Sequence, residues 1–232
     1  MINEEDKIIS EAKEWVKKNK KKLFLDFADE NIYVSDPYPT TIFMAGSPGA
    51  GKTEFSRRLS ETFNQKPVII DADEIRKLIP GYLGKKAYLY QRAATKGVNI
   101  LYDYVCKKGL NVVLDGTFAY GDALGNIEHS LRHNRNIEIY FLYQDPVLSW
   151  NFTKQREKKE FRNVPKEVFI KAYIKSLENV NLAKEKFGNK MKLNIVIKNF
   201  EKGLDSLELN KDRVENYIPK VYTTNELEEL LT

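Results

Sequence analysis

The sequence lacks several features that would set its class. It has a single cysteine, Cys106. One thiol forms no internal disulfide, so the chain suits a reducing compartment. Cys106 sits in an apolar-periodic stretch with no catalytic motif around it, and we read it as core or partly covered surface. No apolar run approaches the length that spans a bilayer. Met1-Ile2-Asn3-Glu4-Glu5-Asp6 is acidic, without the basic start and apolar run of a signal peptide. We therefore expect a cytoplasmic protein with no membrane partner. Internal repeats, low-complexity tracts and linkers are absent as well. One domain over residues 1–232 is the simplest reading, with an N-terminal amphipathic helix within 3–25, a core over 41–198 and an extension over 199–232.

What is present supports a packed enzyme-sized fold. Hydrophobic residues make up 42% and aromatics 12%, enough for a core. The net charge is +5, which suits an anionic partner without choosing among nucleotides, sugar nucleotides and nucleic acid. The N-terminus reads as a helix from Asn3 to about Lys22, with Asn3 as cap and acids in its first turn. Its lysines, Lys17 to Lys22, read as a solvated helix end. No aromatics are interleaved with them, so a nucleic-acid partner is not expected there.

The most informative stretch is Gly46-Ser47-Pro48-Gly49-Ala50-Gly51-Lys52-Thr53. It fits the phosphate-loop pattern G-x-x-x-x-G-K-S/T at every required position. Backbone N–H groups must turn inward around a phosphate, and glycines allow that bend. Lys52 is then placed for the β- and γ-phosphates of a nucleotide, and the Thr53 hydroxyl for Mg²⁺. The flanks agree. Thr41-Ile42-Phe43-Met44-Ala45 reads as a buried strand, and Phe55 and Leu59 repeat at helical spacing.

Further strands are expected at Pro67–Asp71, Val112–Asp115, Ile137–Tyr143 and Met191–Lys198. Between them lie helices opening at Asp71, at about Lys85, at Asp122, at Asp145-Pro146 and at Pro165. A short acidic helix falls near Asn225–Leu231. Strands alternating with helices predict an α/β fold, a doubly wound and mostly parallel sheet with helices on both faces. Ligands of such sheets bind beyond the carboxyl ends of the strands. Asp71, Asp73 and Asp115 fall there. One carboxylate can take a proton from an acceptor hydroxyl and another can help to hold Mg²⁺. We assign helix capping to Asp71. Asp115-Gly116-Thr117 reads as a Walker-B-type strand end or as a plain turn. Arg156 and Arg162 have the right side chain for clamping phosphates, in a charged segment that also reads as helix surface.

Taken together these motifs resemble the zeta toxin family of P-loop kinases over about Thr41 to Lys166. The resemblance rests on the phosphate loop, Ile70-Asp71-Ala72-Asp73, Leu114-Asp115-Gly116-Thr117, Arg156 and Arg162-Asn163-Val164-Pro165-Lys166. It implies ATP- and Mg²⁺-dependent phosphorylation of a sugar hydroxyl in UDP-N-acetylglucosamine, and an antitoxin partner. It further implies that Asp73 is the base, that Asp115 and Thr117 face the acceptor, and that Arg156 and Arg162 clamp the phosphates. Three positions depart from the family pattern. Asp115 stands where glutamate is common, Phe118-Ala119-Tyr120 where an arginine is usual, and Asn99 where the UDP-sugar toxins carry an acid. All three lie on the acceptor side. Two other readings remain open: a kinase of a nucleic-acid 5′-hydroxyl or other nucleotide, and a non-catalytic ATP-responsive module. A further possibility is that the N-terminal helix covers the nucleotide site, against plain docking onto the core.

Overall fold

Alternation along the first strand decides which helices cover which face of the sheet. The computed structural model describes residues 3–84, 86–160, 163–198 and 205–232. In β1 (Thr40–Ala45), Ile42 and Met44 point to one side, where Phe55 and Leu59 of α3 (Lys52–Ser60) pack on them. Phe43 and Ala45 point to the other, into a larger core. That core is built by α1 (Glu4–Lys18), α2 (Lys20–Ala28), α4 (Ala72–Leu78), α5 (Ala87–Lys107), α6 (Ala123–Arg132) and α8 (Lys166–Phe187). Strands buried on both faces read as near-continuous apolar runs, and β1 does.

The remaining strands are β2 (Val68–Asp71), β3 (Val112–Asp115), β4 (Asn136–Tyr143), β5 (Lys192–Ile197) and β6 (Ser206–Glu208). Their order is β2-β3-β1-β4-β5-β6. β1 to β5 are parallel and β6 runs antiparallel to β5. The fold is thus the expected doubly wound, mostly parallel sheet. β1 lies where the chain switches sides, which is where ligands bind in such sheets. Asp71 and Asp115 pair in register, so their carboxyl groups end neighbouring strands. α7 (Pro146–Glu160), α8 and α9 (Thr224–Leu230) share a small cluster around Trp150, Phe169 and Leu227.

Two sequence expectations need correction. The N-terminal helix does not run unbroken to Lys22. Asn19 ends α1, its side chain donating to the Trp15 carbonyl at 2.8 Å, and α2 starts afresh beyond it. A short amide that binds the last-turn backbone competes with helix continuation. The long helix begins at Ala87, after Lys86 in the left-handed region; Lys85 lies outside the described residues. Beyond the expected strands, β6 adds an antiparallel edge that the sequence did not place, and a capping box of Thr223 and Glu226 starts α9, the short acidic helix expected there. Among the described residues, no helix is long and apolar enough to cross a membrane.

Candidate active site

The phosphate loop is pressed against its neighbours so closely that two glycines are required. Gly46 has φ +123°, and a Cβ there would lie 2.3 Å from the Leu142 carbonyl oxygen. Gly49 has φ +77°, and its Cβ would lie 2.1 Å from the Ser149 carbonyl oxygen. Both obstacles are backbone, so neither can give way. Gly49→Ala is therefore expected to cost about 1–3 kcal/mol in strain and to weaken nucleotide binding. Tm and nucleotide affinity, measured together, check this.

The loop is also tied from outside. The Gly46 N–H donates to Ser176 Oγ on α8 at 2.6 Å and to the Thr117 carbonyl at 3.3 Å. Lys52 is buried, and its Nζ donates to the carbonyls of Gly46 at 3.0 Å and Ser47 at 2.6 Å. The ammonium therefore lies along the loop. No side chain caps α3, so its first amides face the loop and its positive end favours an anion there.

A cleft of about 1080 Å³ opens beside this loop. Of the residues singled out in the sequence, Pro48 to Thr53, Asp73, Asn99, Asp115, Thr117 and Arg156 all line it. Gly46 and Ser47 do not line it, and Ser47 is buried beneath. Arg162 lies outside the described residues. No described residue before β1 lines the cleft; α1 and α2 pack along α5 instead, which is plain docking.

Of the two acids at the end of β2, Asp71 takes the capping duty expected of it. Asp71 accepts from the Asp73 N–H at 2.8 Å and caps α4. Asp73 turns into the cleft. Its Oδ1 accepts from Arg76 Nη1 at 2.7 Å, and its Oδ2 lies 4.0 Å from Arg156 Nη2. Arg76 is fully buried and also donates to Gln91 Oε1 at 2.6 Å. Asp115 accepts from the buried Ser56 hydroxyl at 3.4 Å.

Arg76 was not legible as a site residue, because a charge in a short helix reads as surface. It holds the orientation of Asp73 and cannot be removed cheaply. Arg76→Met would strip a buried ion pair of one partner, which costs about 3–5 kcal/mol. In a chain of this size that lowers Tm by roughly 6–20 °C, measurable by calorimetry. Gln91, Thr95 and Asn99 step four residues apart along one face of α5 and line the cleft. That polar stripe was a readable signal. Ser56, Ser176 and Lys198 gave none.

Where an arginine is usual in the family pattern, the chain takes another course. Phe118 has φ +57° and buries its ring edge-on against Phe43. Tyr120 lines the cleft and is 40% exposed. Its hydroxyl accepts from Asn126 Nδ2, and a phenol is uncharged near neutral pH. It therefore presents a neutral aromatic wall rather than a charge.

A family model for zeta toxins matches residues 26–225. No curated protein matches the chain. Among solved structures, one from the PezAT chromosomal toxin–antitoxin system of Streptococcus pneumoniae is 21% identical, covers 96% of this chain and 87% of that one, and has a TM-score of 0.66. A structure of the AvrRxo1-ORF1:-ORF2 complex is 14% identical over 92% of this chain and 70% of that one, with a TM-score of 0.60. A chain of the Pnkp1/Rnl/Hen1 RNA repair complex is 22% identical over 66% of this chain and 47% of that one, with a TM-score of 0.51. Likenesses at these identities are of fold. The family match spans far more than half of the sequence, and the chain belongs to the zeta toxin family of kinases.

Proposed function

We propose that this chain transfers the γ-phosphoryl group of ATP to a hydroxyl of a small molecule, with a UDP-amino sugar such as UDP-N-acetylglucosamine as the acceptor class. The observation that carries the reading is the meeting of Asp73, Lys52 and Arg156 in one cleft, with Arg156 4.0 Å from Asp73. The two glycines that leave no room for a Cβ give the loop the shape of a phosphate cradle. In this reading the cleft-lining amides from Gly49 to Thr53 and the Lys52 ammonium hold the phosphates. Thr53 and Asp115 offer the hard oxygen donors that suit Mg²⁺, which supplies charge neutralisation when bound. Asp73 takes the proton from the acceptor hydroxyl. Arg156 and Arg162 neutralise the charge that develops on the transferring group. Thr117, Asn99 and Tyr120 face the acceptor.

The test is mass spectrometry of a metabolite extract incubated with the protein, ATP and Mg²⁺. A sugar nucleotide heavier by one phosphoryl group is the expected product. ATP left intact against every acceptor would overturn the kinase reading.

The acceptor has a second reading, a nucleic-acid 5′-hydroxyl. The net charge of +5 and the fold shared with a chain of an RNA repair complex favour it. Oligonucleotide binding that weakens steeply with salt would select it, and no binding at low salt would discard it. We also propose that the chain is the toxin of a toxin–antitoxin pair, as in the PezAT system whose fold it shares. Expression of the chain is expected to arrest growth, and a Lys52→Ala variant to leave growth normal.

A further inference from the structure

The chain contains one cysteine and two histidines, and all three meet at one spot. Cys106 lies in the last turn of α5. His129 lies in the second half of α6, and His133 caps its C-terminal end. Their donor atoms lie within 4.8 Å of one another. Packing alone does not account for this. The Nε2 of His129 is buried and has no hydrogen-bond partner among the described residues. A buried polar atom left without a partner is costly and calls for an explanation. The Oδ1 of Asp103 is 3.8 Å from that nitrogen, too far for a hydrogen bond. Asp103 precedes Cys106 by one helical turn and shares its face of α5.

We propose that Cys106, His129 and His133, with Asp103 as fourth ligand, bind one divalent cation of the zinc class and fasten the end of α5 to α6. The donor chemistry selects the metal. Thiolate and imidazole suit Zn²⁺, whereas Mg²⁺ and Ca²⁺ take oxygen. The two histidines four residues apart on a helix have the H-x3-H spacing of structural zinc sites. Charge balances too. Thiolate and carboxylate supply two negative charges against the metal's two positive ones, so a neutral unit forms in a partly buried place. The thiol proton leaves to solvent as the S–metal bond forms. With metal–ligand bonds of about 2.0–2.3 Å, the edges of a tetrahedron are about 3.3–3.8 Å long.

Two of the nearby cations have partners of their own. Lys107 pairs with the Oδ2 of Asp103. Arg135 donates from Nε to Thr41 Oγ1 and from Nη2 to the carbonyls of Thr40 and Leu110, while its Nη1 has no hydrogen-bond partner among the described residues. The site is separate from the phosphate cleft. Asn99 of α5 lines that cleft, and Cys106 lies about 10 Å further along the helix axis. A metal here fixes the seat of the helix whose other end carries Gln91, Thr95 and Asn99.

Co²⁺ tests this on the full chain after treatment with a chelator, because cobalt reports its ligands by absorption. One equivalent is expected to give tetrahedral d–d bands and a thiolate-to-cobalt charge-transfer band, both lost on adding Zn²⁺. Cobalt held by oxygen ligands in the cleft gives no thiolate band, so the two sites are not confused. Cys106→Ser should lose that band, and His133→Gln should bind Co²⁺ about 10²-fold more weakly. His133 is only half-buried at a helix end, so its variant keeps the fold if Cys106→Ser does not. No thiolate band from the wild-type chain, or unchanged cobalt affinity in His133→Gln, would overturn the proposal. Loss of kinase activity alone bears on the phosphate cleft and not on this site.

Discussion

Replacing Lys52 by alanine is expected to lower kcat by about 10³-fold or more, the scale of losing a principal stabiliser of transition-state charge. Lys52 is the first residue of α3, and alanine is a good helix former, so the helix survives. What disappears is a buried ammonium lying along the loop, bonded to Gly46 O and Ser47 O. Those two carbonyls then lose a donor that a methyl group cannot replace. Tm should fall modestly while phosphoryl transfer fails, and the two measured together separate fold from chemistry. A kcat within tenfold of wild type would remove Lys52 from the transition state.

Asp73→Asn is expected to cost about 10²–10⁴ in kcat with little change in KM, the range for losing a general base. The substitution keeps size and shape. Asparagine Oδ1 still accepts from Arg76, and the cap of α4 belongs to Asp71, but the buried Arg76 guanidinium loses its counter-charge. Proton affinity and charge are lost together, so Tm is measured beside kcat, and a fall in kcat larger than the loss of folded protein assigns the effect to chemistry. Steady-state kinetics with the free acceptor as the varied substrate decide it. A rise in KM with kcat unchanged would make Asp73 a binding group and not a base.

These two expectations differ in how they were reached. Lys52 was legible because the phosphate loop is local: strand, glycine turn and helix follow one another within a few residues, and their pattern is written in order. The capping duty of Asp71 was legible for the same reason, since a cap accepts from an amide two residues on. The position of Asn19 was not, because a side chain that ends one helix and lets another begin looks like any exposed polar residue. Phe118 was noted only as a missing arginine. Its left-handed backbone and its burial against Phe43 follow from space left by the sheet, which no neighbouring residue specifies.

The sequence by itself determined the alternation of strands and helices, the phosphate loop and the acids at the strand ends, because each depends on spacing along a few turns of chain. Only the tertiary structure decided that Ser176 holds Gly46, that Arg76 sets the aim of Asp73, and that Cys106 meets His129 and His133. Those contacts join residues brought near by the order β2-β3-β1-β4-β5-β6 and by helices packing across it. That order is set by how buried faces fit together, and periodicity along the chain carries no record of it.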